Sequence, residues 1–191
     1  MANIVRSGFY PAVFGGARTV VWWFPITTGN GATIFVGDVV RNQADGGVIR
    51  AAADSGTAQV GVVVGLYDTN KIPIGAPGAA VTTKYMPAST AGFAAVALAL
   101  PSAIFIGYAG SNANFSAVTD IFASADHVNT AGSTTTAVSG HVLNGSILNT
   151  EANFQVLGIV DEPANAWGAN VALYVRFLES MWGQVNPSAG V

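Results

Sequence analysis

Residues Gln59–Tyr67, with the sequence QVGVVVGLY, decide the fold class of this chain. Four of these nine residues are valine, whose β-branched side chain favours strands over helices. In an extended strand successive side chains point to opposite faces. Two faces result: Val60, Val62 and Val64 on one, and Gly61, Val63 and Gly65 on the other. The glycine-bearing face would let a neighbouring backbone approach closely.

Short runs of the same kind recur along the chain and are separated by Gly, Asn, Asp and Pro. Thr19–Thr27 (TVVWWFPIT) is dense in β-branched and aromatic residues, and an Asn-Gly turn follows it at Thr28–Ala32. Further strand candidates are Thr33–Val36, Val39–Asn42, Val48–Ala52, Ala80–Tyr85, Gly92–Leu100, Ala103–Tyr108, Asn153–Asp161 and Ala169–Met181. In the last of these a helix is the alternative, but its β-branched alternation favours a strand.

This pattern predicts an all-β fold, namely a β-sandwich, jelly-roll or β-tulip-like domain with an extended N-terminal arm. We expect the arm to be residues 1–18 and a single β-rich domain to span residues 19–191. A low-charge insertion is predicted at about 72–150. Within it, Asn129–Ser139 (NTAGSTTTAVS) is low in complexity and is predicted to be a mobile loop.

Charged residues are scarce and unevenly placed. The chain has seven basic and ten acidic residues, and from Tyr85 to Thr150 only Asp120 and Asp126 are charged. Soluble domains devote about a quarter of their residues to Asp, Glu, Lys and Arg. Because little repulsion keeps copies of such a chain apart, it is expected to work against neighbours, in a membrane or in a protein assembly.

An assembly is the better of these two interpretations. Thr90–Gly110 is uncharged and long enough to span a bilayer. However, Pro101 lies in its middle, and Lys84 is the only basic residue nearby, so a positive-inside signal is missing. We expect no membrane partner, and no secretory signal is recognised at the N-terminus.

Chemistry-bearing residues are few. The pI near 5.1 and seven scattered basic residues argue against nucleic-acid binding, and the absence of cysteine excludes disulfides and thiolate sites. His127 and His141 with Asp120 and Asp126 would supply a two-His, two-Asp metal site, but their spacing fits exposed loop residues better. No nucleotide-binding or hydrolase motif is present. We therefore predict no enzyme activity, no cofactor and no metal.

Aromatic residues are the remaining candidates for a binding surface. Trp22-Trp23-Phe24 follows Phe9, Tyr10 and Phe14, and such a cluster serves either as a sugar-stacking platform or, more often, as core or interface. The predicted interface residues, toward a capsid or an oligomer partner, are Ile4, Phe9, Tyr10, Phe14, Trp22, Trp23, Phe93, Phe105 and Trp182.

Two passages carry a family resemblance. Gly37–Val40, Val48–Ala52 and Val60–Leu66 together resemble the small β-tulip domains of tailed-bacteriophage head decoration (cement) proteins. Phe154–Pro163 with Asn170–Phe177 is similar to the closing hairpin of structural proteins on short-tailed phage heads. The two passages cover about a third of the chain.

The resemblance implies a structural virion protein, made in the host cytoplasm, that binds the capsid exterior and clamps neighbouring major capsid proteins. It also implies a homotrimer, with residues 1–18 as the clamp and Tyr85–Thr150 as buried oligomer or capsid-facing surface. The alternatives are another virion component of the tail or fibre, or a carbohydrate-binding β-domain using Trp22 and Trp23.

Overall fold

A computed structural model of the chain describes residues 6–12, 19–53, 57–111, 115, 117–148 and 152–183, without the side chains of 145–148. Throughout these ranges the regular structure is strand, apart from a 3₁₀ turn at Val118–Asp120. The all-β prediction is therefore confirmed. The strands are β1 (Phe9–Pro11), β2 (Val21–Ile26), β3 (Val39–Asn42), β4 (Val48–Arg50), β5 (Gln59–Tyr67), β6 (Gly92–Leu98), β7 (Phe105–Tyr108), β8 (Ser124–Ser133), β9 (Val138–Leu148), β10 (Phe154–Ile159) and β11 (Ala172–Phe177).

The strands form two antiparallel sheets. The six-stranded sheet has the order β1-β7-β11-β10-β8-β9, and the five-stranded sheet has the order β2-β6-β5-β3-β4. The six-stranded sheet is nearly closed into a barrel, because β9 returns to β7 through a bridge between Ala109 and Leu143. Gly8 beside β1 also donates its N–H to the His141 carbonyl at 2.7 Å. The arrangement is consistent with a β-sandwich domain.

The larger core unites the two sheets. Val39, Val62 and Ala97 of the five-stranded sheet share it with the aromatic residues of the six-stranded sheet. Those rings are in direct contact, with centroids 4.8 Å apart for Phe9–Phe154, 4.5 Å for Phe154–Phe177 and 5.1 Å for Phe105–Phe177. The rings fix how the nearly closed sheet seats on its neighbour.

A second core lies on the other face of the five-stranded sheet. It contains Ile26, Val63, Val96 and the loop residues Ile34 and Met86, which are joined to each other by a β-bridge. The predicted strand Thr33–Val36 is thus reduced to a single bridge residue, and the predicted strand at 80–85 is not formed. These loops cover the sheet instead of extending it.

Gln59–Tyr67 forms β5 with the predicted bounds. As expected, Gly61 lies where a neighbouring backbone approaches closely. A Cβ atom on Gly61 would overlap the Ala97 carbonyl of β6. The simple alternation is broken, however, by register shifts on both sides of β5. Val60 and Val63 consequently face the second core, whereas Val62 faces the larger one.

Residues 72–150, which were predicted to be an insertion, supply strands to both sheets. This tract supplies β6, which lies between β2 and β5, and β7, which lies between β1 and β11. It also supplies β8 and β9, so the predicted mobile loop at Asn129–Ser139 is the end of a β-hairpin. The low charge of the tract follows from burial within the chain, since Ala94, Val96, Phe105 and Leu143 are fully buried.

The described part of the predicted N-terminal arm contains a strand. Residues 6–12 include β1, which pairs Phe9 with Gly107 and Pro11 with Phe105 at the edge of the six-stranded sheet. Residues 1–5 and 13–18 lie outside the described ranges. For the membrane alternative, the described ranges contain no helix that is long and apolar enough to cross a bilayer.

Candidate functional site: an aromatic strand edge

The candidate site is the exposed part of β2, which we call the aromatic edge and define as Val21, Trp22 and Trp23 with the rings they contact. β2 is an outer strand of the five-stranded sheet and pairs with β6 alone. Val21 is 44 %, Trp22 54 % and Trp23 46 % exposed. Large apolar side chains left uncovered side by side mark an interaction surface more often than a tolerated defect.

Trp22 projects to the face of the sheet that carries the second core. Its ring contacts Trp182 edge to face at 5.8 Å, and Trp182 is anchored by an indole N–H donated to the Val60 carbonyl at 2.8 Å. Met181 beside it is 46 % exposed. A cavity of about 230 Å³ opens here between β2 and the β3–β4 hairpin, lined by uncharged residues that include Phe24, Val48, Met181 and Trp182.

Trp23 projects to the opposite face, because neighbouring residues of a strand alternate. Its ring lies 4.2 Å from that of Tyr67 and 6.4 Å from that of Phe93. The Lys71 ammonium sits 5.8 Å from the Trp23 ring centroid and 5.3 Å from that of Phe93. The two indoles therefore do not form one flat platform of the kind that stacks on a sugar ring.

Lys71 is held in place by the turn that follows β5. The Asp68 carboxylate accepts hydrogen bonds from the backbone N–H groups of Ala80, Ile72 and Asn70, at 2.8 to 2.9 Å. These bonds, led by that of Ala80, lower the pKa of Asp68. Lys71 takes a positive φ of 62° inside this turn, and its ammonium lies over the aromatic rings.

The structure gathers four of the nine predicted interface residues at this edge: Trp22, Trp23, Phe93 and Trp182. Sequence reasoning missed Tyr67, Lys71 and Met181, which reach the edge from other elements. The sequence did predict a strand that ends at Tyr67, but it did not show that this strand lies next to β6, which brings Tyr67 close to Trp23.

Phe9 and Phe105 are corrected to core residues. Both are fully buried within the chain and have no accessible surface for a partner: Phe9 stacks on Phe154, and Phe105 contacts Phe177 edge to face. Ile4 and Phe14 lie outside the described residues. The remaining member, Tyr10, is 37 % exposed and lies on the six-stranded sheet.

Tyr10 lines a separate groove of about 540 Å³ between β1 and the tip of the β8–β9 hairpin. Tyr108 stands beside it with ring centroids 6.3 Å apart, and the Arg6 guanidinium lies 5.7 Å from the Tyr108 ring. Arg6 is also paired with Glu162 at 2.9 Å. The contacts raise the pKa of Arg6, first through its bond to Tyr108 and then through Glu162.

The titratable residues singled out by sequence lie inside the molecule. His127 and His141, predicted to be exposed loop residues, are fully buried with ring centroids 5.2 Å apart. The prediction was wrong because the stretch around them was read as a loop, whereas they sit in paired strands facing the core. His127 Nδ1 is 2.8 Å from the Asn153 amide oxygen, and Asn153 in turn donates to Glu179.

His141 belongs to a contact that ties the two sheets together. Its Nδ1 accepts the Val39 N–H of β3 at 3.2 Å. Asp38, just before β3, accepts the Phe35 N–H at 2.9 Å and the Ser139 hydroxyl of β9 at 2.5 Å. We call these groups, with His127 and Asn153, the buried polar cluster.

Burial shifts both ionisable groups of this contact toward their neutral forms. It raises the pKa of Asp38 to about 6, against the opposing effect of the Ser139 and Phe35 hydrogen bonds. It lowers the pKa of His141 well below its usual range, with further contributions from His127 and Arg50. At neutral pH His141 is therefore uncharged.

The buried polar cluster is built for structure. Ser139 and Asp38 with His141 have the composition of a hydrolase triad, but the hydroxyl donates to the carboxylate and not to the imidazole, which lies 3.8 Å from Asp38. All three residues are at most 1 % exposed, so a substrate cannot reach them. In the part of the chain that is described, no three His, Asp or Glu side chains converge on a metal position.

The aromatic edge is thus a surface of the described chain at which neighbouring large apolar side chains are exposed. Comparisons with known proteins found no family model, no curated protein and no solved structure that matches this chain.

Proposed function

We propose that this chain is a structural subunit of a phage virion that decorates the outside of the capsid and binds neighbouring major capsid proteins. The observation that carries the proposal is the aromatic edge, in which Trp22 and Trp23 are about half exposed on an outer strand. Tryptophan is enriched among the residues that dominate protein–protein binding energy. The resemblance of the β-strand passages to head decoration proteins supplies the capsid as the partner.

The distribution of charge supports an assembly role. The chain has a net charge of -3 and only 9 % charged residues, and uncharged residues line the cavity beside Trp22. Contacts made by such a surface rest on apolar burial and backbone hydrogen bonds, which salt screens little. A decoration protein that must stay bound in changing ionic conditions benefits from this property.

Stabilisation of the head would come from many modest contacts. A subunit that engages two or more capsid proteins at once gains avidity, because each further contact forms at high effective concentration. The self-association predicted from composition, as a homotrimer, multiplies that effect. The trimer remains a prediction.

The first test is genomic and needs no protein. A decoration protein is expected to be encoded beside a major capsid protein. Heads assembled from that capsid protein alone should then bind the purified chain in co-sedimentation, with little change between about 0.1 and 0.5 M salt. Absence of binding at micromolar concentration would refute the capsid as the partner.

The second test uses substitutions at the aromatic edge. The double variant Trp22→Ser, Trp23→Ser should lose at least about tenfold in head affinity, since tryptophan hot spots contribute about 2 kcal/mol or more each. Phe122→Ser is the matched control, because Phe122 is 69 % exposed but lies in the six-stranded half of the molecule. Equal loss in both variants would point to a nonspecific effect of removing surface apolar area.

A further inference from the structure

We propose that the aromatic edge pairs two copies of this chain, with β2 of one copy adding antiparallel to β2 of the other around Trp22. This inference does not require the decoration proposal, but pairing and head binding would compete, because both use Trp22 and Trp23 of the aromatic edge. The chain would form such pairs in solution whether or not it binds a capsid.

The register of β2 shows which backbone groups are available. Leu98 of β6 donates its N–H to the Val20 carbonyl at 2.9 Å, and the ladder continues with Trp22 opposite Val96. In an antiparallel pair the hydrogen-bonded positions alternate. Val20, Trp22 and Phe24 therefore bond to β6, whereas the N–H and C=O groups of Val21 and Trp23 point away from it.

The outer side of β2 is open for only a short length. At its end a Cβ atom on Gly47 of the β3–β4 hairpin would lie 3.0 Å from the Pro25 carbonyl, so the hairpin closes the edge there. Pro25 itself has no N–H to offer a partner strand. Among the described residues, no hydrogen bond reaches the outward backbone groups of Val21 or Trp23.

This open length is complementary to itself. In an antiparallel pairing centred on Trp22, Val21 of each copy stands opposite Trp23 of the other, and the two pairs exchange four hydrogen bonds. The outward groups of both residues are then all used. Trp22 of one copy then lies opposite Trp22 of the other at a non-hydrogen-bonded position. Side chains approach most closely at such positions, and aromatic cross-strand pairs are favourable there.

Charge and shape agree with a second copy as the occupant. No residue of β2 is charged, so two copies meet without like-charge repulsion. Val20 of one copy would stand opposite Phe24 of the other, on the face where the 230 Å³ cavity opens. Because the contact is isologous, it stops at two copies, and a trimer would need a different surface.

Sedimentation of the full chain between about 1 and 100 μM tests the pairing, since a short contact of this kind is expected to have a micromolar dissociation constant. Val21→Pro removes one outward N–H per copy, hence two bonds per pair, and should raise the dissociation constant about tenfold or more. Pro25 shows that β2 accommodates proline with its nitrogen on this side. Val21→Thr keeps the N–H and is the control, with circular dichroism confirming that both variants fold.

The register is tested separately by a disulfide. The natural chain has no cysteine, so Trp22→Cys introduces a single thiol per copy at a non-hydrogen-bonded position, where the paired Cα atoms would be about 4.5 Å apart, within disulfide range. Mild oxidation should give a covalent dimer much faster than it does for Val118→Cys, whose site is 66 % exposed elsewhere. A wild-type chain that is monomeric at 100 μM, an unchanged association of Val21→Pro, or equal rates for the two cysteines would each overturn the proposal. If the wild-type chain pairs but neither it nor the unpaired Val21→Pro variant binds heads, the decoration role alone is contradicted.

Discussion

The buried polar cluster and the aromatic edge differ in an unusual way: the polar residues are buried, and the large apolar residues are exposed. His127, His141 and Asp38 are almost completely buried between the strands, whereas Trp22 and Trp23 are about half exposed on an outer strand. Residue type alone pointed to the histidines as candidates for chemistry. Accessibility reverses that interpretation, because both histidines are buried, His141 accepts a hydrogen bond from Val39 of the other sheet, and the tryptophans are exposed.

The largest expected effect separates a core aromatic from an edge aromatic. Phe9→Ala should lower the free energy of unfolding by about 3 to 5 kcal/mol, since it removes a fully buried ring stacked on Phe154. Trp23→Ala should lower it by only about 1 kcal/mol, the scale of a surface aromatic pair with Tyr67. Urea unfolding of both variants measures the difference. A similar loss of unfolding free energy in the two would mean that the edge ring contributes as much to stability as the core ring.

A smaller effect is expected from the pH dependence of the buried polar cluster. Folded Asp38 keeps its proton up to a pKa of about 6, against 3.8 for an ordinary Asp. Its contribution to stability is therefore present in full below pH 3.8 and is lost as the pH rises through 6. In Asp38→Asn this loss disappears, so the variant should gain on the wild type by up to about 3 kcal/mol between pH 4 and pH 7.

The ionisable groups near Asp38 also change the stability with pH, and their effect must be separated from that of Asp38. His141 acts in the opposite direction, because its lowered pKa makes the unfolded chain the better proton acceptor below pH 6.5. Removing Asp38 should therefore steepen the loss of stability on acidification. Asp45→Asn is the control: Thr27 and Gly47 lower the pKa of Asp45, so its contribution is present above pH 3.8 and is lost in acid. Parallel pH profiles for the two variants would contradict the assignment.

The smallest effect concerns the charge at the aromatic edge. Lys71→Met retains the length of the side chain but removes the ammonium over the Trp23 and Phe93 rings. We expect a loss of about 0.5 to 1 kcal/mol, the range of exposed cation–π contacts, together with a shift in tryptophan emission. A loss of more than about 2 kcal/mol in unfolding free energy would mean that Lys71 contributes as much to stability as a buried core residue.

Strands rich in β-branched residues were predictable from sequence. The bounds of β3 and β5 were predicted as the structure has them, because both have valine-rich, regularly punctuated sequences. The β8–β9 hairpin was not, since its small and polar residues carry no hydrophobic alternation. β8 and β9 pair mainly with each other, and β8 joins the rest of the sheet through two residues of β10.

The candidate site was only half predictable, for a related reason. Trp22 and Trp23 stand out by residue type, but nothing local shows that β2 is an outer strand or that Phe9 is inside. Those facts depend on sheet order, in which β2 pairs with β6 and β1 with β7. Composition indicated that the chain holds aromatic surface, and the topology decided which part of it stays uncovered.

The pairing of β1 with β7 has a consequence for how the chain reaches this structure. Phe9 finds its partner Gly107 about a hundred residues later, so β1 cannot join its sheet until those residues have been synthesised. Folding dominated by such distant contacts is slow, in the range of milliseconds to seconds. Until β1 and β7 have paired, the ring of Phe9 and the side of β7 that accepts β1 are both exposed. We expect the yield of native protein to fall with rising temperature and concentration during refolding.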